Sequence, residues 1–195
     1  MVLASQSPRR REILDMMGLA GLYETIPSPL NETALQTDLV QKGITKDPQR
    51  YTQILAEEKA RATAQSLTDV SCPTLVLGSD TIVDQDEAIL EKPVDVADAQ
   101  RMLRQLSGRV HYVHTGVALY RCMPGAAKPE KILSFVDQAT VQFTALDEAD
   151  IQAYVASGEP MDKAGSYGIQ GMGGQFVSSV QGDFFTVSNP NAGSV

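Results

Sequence analysis

The sequence is poor in the residues on which several common kinds of site depend. Its two cysteines, Cys72 and Cys122, are far apart and match no metal-binding spacing, so we expect reduced structural thiols in a cytosolic protein. Its two histidines, His111 and His114, lie three apart in a predicted strand, hence on opposite faces, which disfavours joint metal ligation. Neither lies near a Gly-x-Ser-x-Gly elbow, so a serine-hydrolase triad has little support.

Further absences narrow the class of protein. No apolar run approaches the roughly 20 residues that span a bilayer, and the N-terminus has no secretory signal pattern, so we expect a cytoplasmic protein without membrane contact. The phosphate-binding pattern Gly-x-x-x-x-Gly-Lys-Ser/Thr is missing. The net charge of −8 disfavours nucleic-acid binding, which needs a basic face, but is compatible with a small anionic ligand in a local basic pocket.

The composition and the alternation of elements are typical of a globular α/β protein. The chain has 195 residues, 43% hydrophobic and 21% charged, which suits one domain, or one domain with two lobes. The patterns predict strands at 2–4, 74–83, 110–120 and 132–143, and helices at 49–67 and 95–107. Near the end, 175–180 and 184–187 are predicted to form a hairpin across residues 181–183.

The first predicted helix begins with charges that oppose its dipole. Ser7 and Pro8 suit the cap and the first turn of a helix, and Arg9, Arg10 and Arg11 follow at once. The positive end of a helix dipole disfavours cations, by roughly 0.3–1 kcal/mol each. Either solvent screens these arginines, or the capping amides and the guanidinium groups together bind a polyanion such as a phosphate chain.

Four other charged residues are candidates for chemistry, each with an ordinary alternative. Asp80 lies where a predicted hydrophobic strand ends or bends, and it could ligate a divalent cation, accept a proton from water, or bind turn amides. Lys92 follows a short predicted strand and could bind phosphate or be solvated. Taken alone, Lys59 is expected on a solvated helix face and Glu32 in a loop.

Seven segments occur in an order and spacing that match one protein family. They are residues 3–10 (LASQSPRR), 58–60 (EKA), 78–83 (GSDTIV), 90–93 (LEKP), 106–108 (LSG), 157–160 (SGEP) and 162–171 (DKAGSYGIQG). Over residues 2–187 the chain closely resembles the Maf family of nucleoside triphosphate pyrophosphatases. Each motif alone is modest evidence, whereas seven in sequence are strong evidence.

The resemblance implies a mixed α/β fold, with an elongated, strongly bent sheet flanked by helices and two lobes around a central cleft, like that of inosine triphosphate pyrophosphatase. It implies hydrolysis of a nucleoside triphosphate to the monophosphate and pyrophosphate, with Mg²⁺ or Mn²⁺ as cofactor. It also implies a single domain over 1–187. Residues 188–195 depart from the family's usual final helix, so we expect a frayed tail and apolar surface that is exposed or forms a homodimer interface.

The resemblance also implies roles for single residues. Asp80 matches the family's proton acceptor. The other pocket positions of the family correspond to Ser5, Arg9, Arg10, Glu32, Lys59, Lys92 and Gln170. Members that prefer dTTP and UTP match this chain at Arg9, Thr81 and Gln170, whereas the branch acting on methylated GTP has tryptophan and glutamine at the first two positions.

Together these residues form one mechanistic hypothesis. A divalent metal held by Asp80 and Glu32 would neutralise the triphosphate, and Asp80 would accept a proton from the attacking water, directly or through a metal-bound water. The pocket cations would stabilise charge on the leaving pyrophosphate. We therefore predict Asp80, Lys59 and Lys92 as catalytic and Ser5, Arg9, Arg10, Thr81 and Gln170 as substrate-binding.

Two other functions stay open at this stage. The chain could be a broader pyrophosphatase that removes non-standard purine triphosphates. It could also be a non-catalytic nucleotide-binding regulator linked to cell division, although a sensor would not need to keep the base Asp80.

Overall fold

A computed structural model of the chain describes residues 1–67 and 70–187. The described strands are β1 (Val2–Leu3), β2 (Glu24–Thr25), β3 (Thr74–Gln85), β4 (Ala88–Leu90), β5 (Val110–Cys122), β6 (Glu130–Phe143) and β7 (Val177–Gln181). The described α-helices are α1 (Pro8–Leu14), α2 (Glu32–Gln41), α3 (Pro48–Ser66), α4 (Val96–Leu106), α5 (Glu148–Ala156) and α6 (Phe184–Val187). A π-helical turn, Asp15–Leu19, continues α1. The expected frayed tail, 188–195, lies outside the described residues.

Parallel and antiparallel pairs together build the sheet, in the order β2-β1-β3-β5-β6-β7, with β4 paired to β3. Strand β1 runs parallel to both neighbours, with Val2 opposite Glu24 on β2 and Val76 on β3. The β3–β4 and β6–β7 pairs are antiparallel. The mixed α/β class is therefore confirmed, while the two lobes and their cleft stay predictions.

The chain divides into two compact units. Unit 1 contains Met1–Gln6, Arg10–Asp80 and Thr115–Val136. Unit 2 contains Ser7–Arg9, Thr81–His114 and the chain from Asp137 onward. The long strands β3, β5 and β6 each contribute residues to both units. No helix within the described ranges is both long and apolar enough to cross a bilayer.

In unit 1, small residues bring α3 against the sheet almost backbone to backbone. Ala56 and Ala60 are fully buried on the inner face of α3. A Cβ atom on Gly78 of β3 would lie 2.7 Å from the Ala56 carbonyl oxygen and from the Ala60 nitrogen. Real Cβ atoms do not come that close, so only glycine allows this approach. The contact sets how near α3 side chains come to β3.

In unit 2, the helix predicted from periodicity forms as expected. Asp95 caps α4, its side chain accepting a hydrogen bond from the Asp98 amide at 2.8 Å. The apolar stripe of α4 is buried in a core that it shares with α5 and with residues of β5 and β6. The stripe consists of Ala99, Met102, Leu103 and Leu106.

The predicted hairpin at the end of the described chain is wrong. Strand β7 pairs with β6 instead, with Val180 opposite Val141, and residues 184–187 form the helix α6. The Asp183 side chain accepts a hydrogen bond from the Phe185 amide at 2.7 Å and turns the chain into that helix. Thr186 is buried and donates to Asp137 of β6. Tertiary contacts thus override the β propensity of the Phe-Phe-Thr-Val segment.

Candidate active site

Lys59 is a buried cation at the centre of an ion cluster in unit 1. Its side chain projects from α3 and is 5% exposed, although the helix composition predicts a solvated face. The Nζ atom donates to Asp80 Oδ1 at 2.5 Å and lies 2.8 Å from Glu32 Oε2. Burial by itself lowers the pKa of Lys59, but the two carboxylates outweigh burial and the nearby Arg10, so the pKa is raised. The ammonium therefore stays charged at neutral pH.

Asp80 lies inside a long strand, not at a strand end. Strand β3 continues from Thr74 to Gln85, and Asp80 is its last residue in unit 1. Its carboxylate is 5% exposed. The close approach of α3 at Gly78, two residues earlier, accounts for the short Lys59–Asp80 distance. An ordinary turn aspartate is excluded for this position.

Glu32 is the first residue of α2, so the predicted loop position is wrong. Asn31 caps this helix, its side-chain oxygen accepting from the Ala34 amide at 3.0 Å. Ser28 donates to the Lys59 backbone carbonyl at 3.1 Å and joins the segment before α2 to α3. The Glu32 side chain is 46% exposed, so this member of the cluster faces solvent.

Arg10 is the second buried cation of unit 1. Its Nη1 donates to Ser5 Oγ at 3.2 Å, which joins α1 to the segment after β1. Burial lowers the pKa of Arg10, and the charges of Asp80 and Glu32 act in the opposite direction. A guanidinium is nevertheless not deprotonated in proteins. Solvent cannot screen this arginine, so the screening alternative for the start of α1 does not apply to it.

The unit 1 cluster balances two buried cations with two carboxylates. Its oxygens are hard ligands, of the kind that Mg²⁺ and Mn²⁺ prefer. The described ranges contain no group of three or more His, Cys, Asp or Glu side chains arranged around a metal position. Mg²⁺ in nucleotide enzymes is often held by one or two carboxylates together with substrate phosphates and water. Asp80 and Glu32, which converge on one Nζ atom, fit that pattern.

Four other predicted site residues belong to unit 2. Thr81 directly follows Asp80 on β3 and is buried, whereas Lys92 follows β4 and is exposed. Gln170 is exposed in the glycine-rich segment between α5 and β7. A Cβ atom on Gly168 would lie 3.1 Å from Arg9 Nη1. Arg9 therefore lies against the segment that carries Gln170.

Arg9 has a buried nitrogen that lacks an acceptor among the described residues. Its Nη1 is buried and makes no hydrogen bond to any residue of 1–67 or 70–187. Buried donors in native proteins are almost always paired. A guanidinium nitrogen in this position can donate to an anionic or polar ligand.

The sequence patterns missed several residues that support the predicted site residues within each unit. Ser28 and Asn31 orient the start of α2, and a helix-capping asparagine before Glu32 was a readable signal for that helix. Tyr154 and Glu159 bind the backbone of the Gln170 segment. Glu159 lies in one of the family motifs, but no local pattern gives it a role.

Comparisons with known proteins agree on one family. The family model described as Maf-like protein matches residues 1–188. The chain is 48% identical over 190 residues to the dTTP/UTP pyrophosphatase of Shewanella oneidensis, covering 96% of this chain and 90% of that protein. It is 44% identical over 186 residues to the dTTP/UTP pyrophosphatase of Bacillus cereus (strain AH820), covering 95% and 86%.

A human relative is longer than this chain. It is called a probable bifunctional dTTP/UTP pyrophosphatase/methyltransferase protein, and it is 45% identical to this chain over 189 residues. The match covers 95% of this chain and 29% of the human protein.

Proposed function

This chain belongs to the Maf-like protein family, and from that membership we propose that it is a nucleoside triphosphate pyrophosphatase. It hydrolyses dTTP and UTP to the nucleoside monophosphate and pyrophosphate. Relatives named dTTP/UTP pyrophosphatase align with nearly the whole chain at 41–48% identity. The single structural observation that carries the proposal is the ion cluster of Lys59, Asp80, Arg10 and Glu32, of which the first three are buried.

We assign the proton-accepting role to Asp80. In the reaction a water oxygen bonds to the α-phosphorus, the bond from that phosphorus to the oxygen bridging the α- and β-phosphates breaks, and pyrophosphate leaves. One proton of the water goes to the Asp80 carboxylate. Lys59 already binds Oδ1, so Oδ2 is the oxygen assigned to this proton. Holding the base rigidly between β3 and α3 favours proton transfer without reorganisation.

Four cations of the predicted site suit a polyanionic leaving group. We assign Arg10 and Lys59 to the triphosphate because each is a fixed, buried positive charge. Arg9 is assigned to it as well, since its Nη1 has no protein acceptor within the described ranges. The exposed Lys92 is assigned as a further phosphate ligand on the family motif alone. Such charges stabilise a developing oxyanion most where water is excluded.

We propose Asp80 and Glu32 as the ligands of Mg²⁺ or Mn²⁺. The metal would neutralise phosphate charge and polarise the reacting phosphoryl group. Lys59, whose Nζ lies within hydrogen-bonding distance of both carboxylates, would share them with the metal.

The nucleotide preference is assigned to Arg9, Thr81 and Gln170. Arginine, threonine and glutamine are the residues found at these positions in family members that prefer dTTP and UTP. Thr81 and Gln170 offer both donors and acceptors, which suits a pyrimidine base edge. The cytoplasmic location and a homodimer remain our proposals; the free thiols of Cys72 and Cys122 agree with the first.

The decisive experiment compares Asp80→Asn with Asp86→Asn. Pyrophosphate release is measured from a panel of canonical and modified triphosphates at saturating Mg²⁺ or Mn²⁺. Asparagine keeps the size of Asp80 but cannot accept the proton, so kcat should fall by about 10²–10⁴-fold. Asp86 lies in the β3–β4 turn with φ 52°, a conformation that asparagine adopts readily, and pairs there with Arg109. Its variant should retain full activity.

Each outcome of this panel has a definite meaning. Release from dTTP and UTP, lost in Asp80→Asn alone, supports the proposal. Near-normal turnover in Asp80→Asn shows that Asp80 is not the proton acceptor. Preference for non-standard purine triphosphates indicates the broader pyrophosphatase. If folded wild-type protein releases no pyrophosphate from any triphosphate, the nucleotide-binding regulator is favoured.

A further inference from the structure

Two side chains of unit 2 tie down the backbone on both sides of Gln170. Glu159 Oε2 accepts a hydrogen bond from the Met172 amide at 2.9 Å, and its Oε1 accepts from the Gly173 amide at 3.3 Å. Tyr154 accepts at its hydroxyl from the Gly168 amide at 3.2 Å. The same hydroxyl donates to Glu159 Oε1 at 3.0 Å, which links the two side chains. We call this pair, Tyr154 and Glu159, the loop clamp.

Two glycines of the segment, Gly171 and Gly173, leave room for the side chains of the loop clamp. A Cβ atom on Gly171 would lie 2.2 Å from Glu159 Oε1, and one on Gly173 would lie 2.5 Å from the Tyr154 hydroxyl. Both distances are far below van der Waals contact. The carboxylate and the hydroxyl therefore lie directly on the backbone, which only glycine permits.

The clamp itself rests on a rigid support. Tyr154 is 3% exposed, and its ring packs edge-to-face on Phe176 with centroids 5.0 Å apart. Glu159 follows the turn at Gly158, where φ is 79°, and its amide donates to Ser157 Oγ at 3.2 Å. Burial, followed by the charge of Glu159, raises the pKa of Tyr154, so the hydroxyl keeps the proton that it donates.

The clamped segment presents polar groups outward beside an arginine. Gln170 and Met172 are exposed at its tip, while Gly168 and Gly173 are buried. Arg9 Nη1, which lacks an acceptor among the described residues, lies 3.1 Å from the position of a Cβ on Gly168. The hydrogen bonds of the clamp thus fix the backbone of Gln170 relative to Arg9.

We propose that Tyr154 and Glu159 are positioning residues for nucleotide recognition. They do not touch the substrate; they hold Gln170 where it reads the base and so set the discrimination between pyrimidine and purine triphosphates. This inference rests on the proposed function, because it assumes that Gln170 contacts the nucleotide. A mobile segment would bind the base only after an entropic cost of ordering, which a fixed segment avoids.

The test uses Glu159→Gln, with Glu148→Gln as the matched control. Glutamine at position 159 keeps the shape of the side chain but replaces one carboxylate oxygen with an NH₂ group. The backbone amides and the Tyr154 hydroxyl, which donate to Glu159 in the wild type, then face a donor. We expect KM for dTTP to rise at least about tenfold, the size of one lost charge-assisted hydrogen bond, with kcat changed less than about threefold. The ratio of kcat/KM for UTP to that for GTP should fall by a similar factor. Glu148, on the surface of the same unit, bonds Arg104 and Gln152, and its variant should change neither quantity.

A double-mutant cycle with Gln170→Ala separates positioning from general loss of packing. If Glu159 acts through Gln170, Glu159→Gln should lower the UTP preference of the Gln170→Ala enzyme by less than about twofold. If the effects of Glu159→Gln and Gln170→Ala on the UTP preference multiply in the double variant, the inference is overturned. It is also overturned if Glu159→Gln leaves both KM and the UTP preference unchanged. Tyr154→Phe, which removes one hydroxyl, provides the same comparison if Glu159→Gln does not fold. If wild-type protein releases no pyrophosphate, the proposed function fails separately, and UTP affinity by calorimetry then makes the same comparison.

Discussion

At the scale of single residues, Lys59 forms a buried ion pair with Asp80 and a second, more exposed pair with Glu32. Its ammonium lies between Asp80 and Glu32, and removing it would leave a buried carboxylate without its cation. Leaving one partner of a buried pair behind is costly, whereas losing an exposed pair is nearly neutral. Lys42, which pairs with Asp38 on the exposed side of α2 at 2.7 Å, is the natural comparison.

Lys59→Ala should lower the free energy of unfolding by about 3–5 kcal/mol, and Lys42→Ala by no more than about 0.5 kcal/mol. Urea unfolding at pH 7 measures both. Pyrophosphate release should be lost only in the first variant. Equal and small losses of stability would mean that Asp80 and Glu32 find other partners once Lys59 is gone.

His111 is a buried titratable residue that lies outside the proposed active site. It is fully buried on β5, its Nε2 lies 2.8 Å from the Tyr167 hydroxyl, and its ring packs edge-to-face on Phe143. Burial lowers the pKa of His111 to about 4, although the Arg109 backbone carbonyl opposes this. Between pH 6.5 and 4 the unfolded chain therefore holds a proton that the folded chain does not.

Acid should therefore destabilise the protein through His111. The loss of unfolding free energy that His111 causes is absent at pH 7. It grows as the pH falls toward 4, where it amounts to roughly 3 kcal/mol. Urea unfolding of wild type and His111→Gln at pH 7, 5.5 and 4 measures it. The wild type should lose more stability than the variant on acidification, since the carboxylates titrate in both. Parallel curves would show that His111 is protonated in the folded protein.

At the scale of elements, the contact between α3 and β3 decides whether the ion cluster forms. Gly78→Ala would place a methyl group 2.7 Å from the α3 backbone, so the helix must shift. We expect a loss of about 1–3 kcal/mol in unfolding free energy, and a fall of about 100-fold in kcat/KM, because a small displacement moves Lys59 relative to Asp80.

Gly43→Ala is the control for this element-scale prediction. Gly43 has φ 71° and no atom of residues 1–67 or 70–187 within 4 Å of its Cβ position, so alanine there is strained but meets no described neighbour. Its variant should lose stability by about 1–2 kcal/mol and keep its activity. Full activity in Gly78→Ala would show that α3 can move without disturbing the cluster.

Helices were predicted correctly from the sequence where the cap and the apolar stripe both lie within the helix segment itself. The stripe and the cap of α4 lie within a few residues of each other, and they were read correctly. The helix beginning at Glu32 and the helix α6 were misread, because neither has a strong apolar period. What stabilises them is a cap and contacts with residues far along the chain, such as Thr186 with Asp137.

At the scale of the whole molecule, the net charge predicts that the protein does not bind nucleic acid. The net charge of −8 and a pI of about 4.7 oppose approach to a phosphate backbone. We expect no change in fluorescence anisotropy of a labelled duplex DNA or RNA up to about 100 µM protein at 50 mM salt, the weak end of ordinary non-specific binding. A basic DNA-binding protein in the same buffer is the control. Saturable binding that weakens with salt would contradict this prediction.

The sequence alone determined the α/β class and the identity of the charged residues that the family motifs share, because both depend on neighbours within a few positions. It could not determine that Lys59 is buried, since helix composition indicates a solvated face. Positions 10, 32, 59 and 80 meet because α1, α2, α3 and β3 pack together in unit 1. Burial also leaves Arg9 Nη1 without an acceptor in the part of the chain that the structure describes, and the fold builds the loop clamp around Gln170. Only the tertiary structure decides such features, because desolvation and long-range hydrogen bonds depend on which elements exclude water from one another.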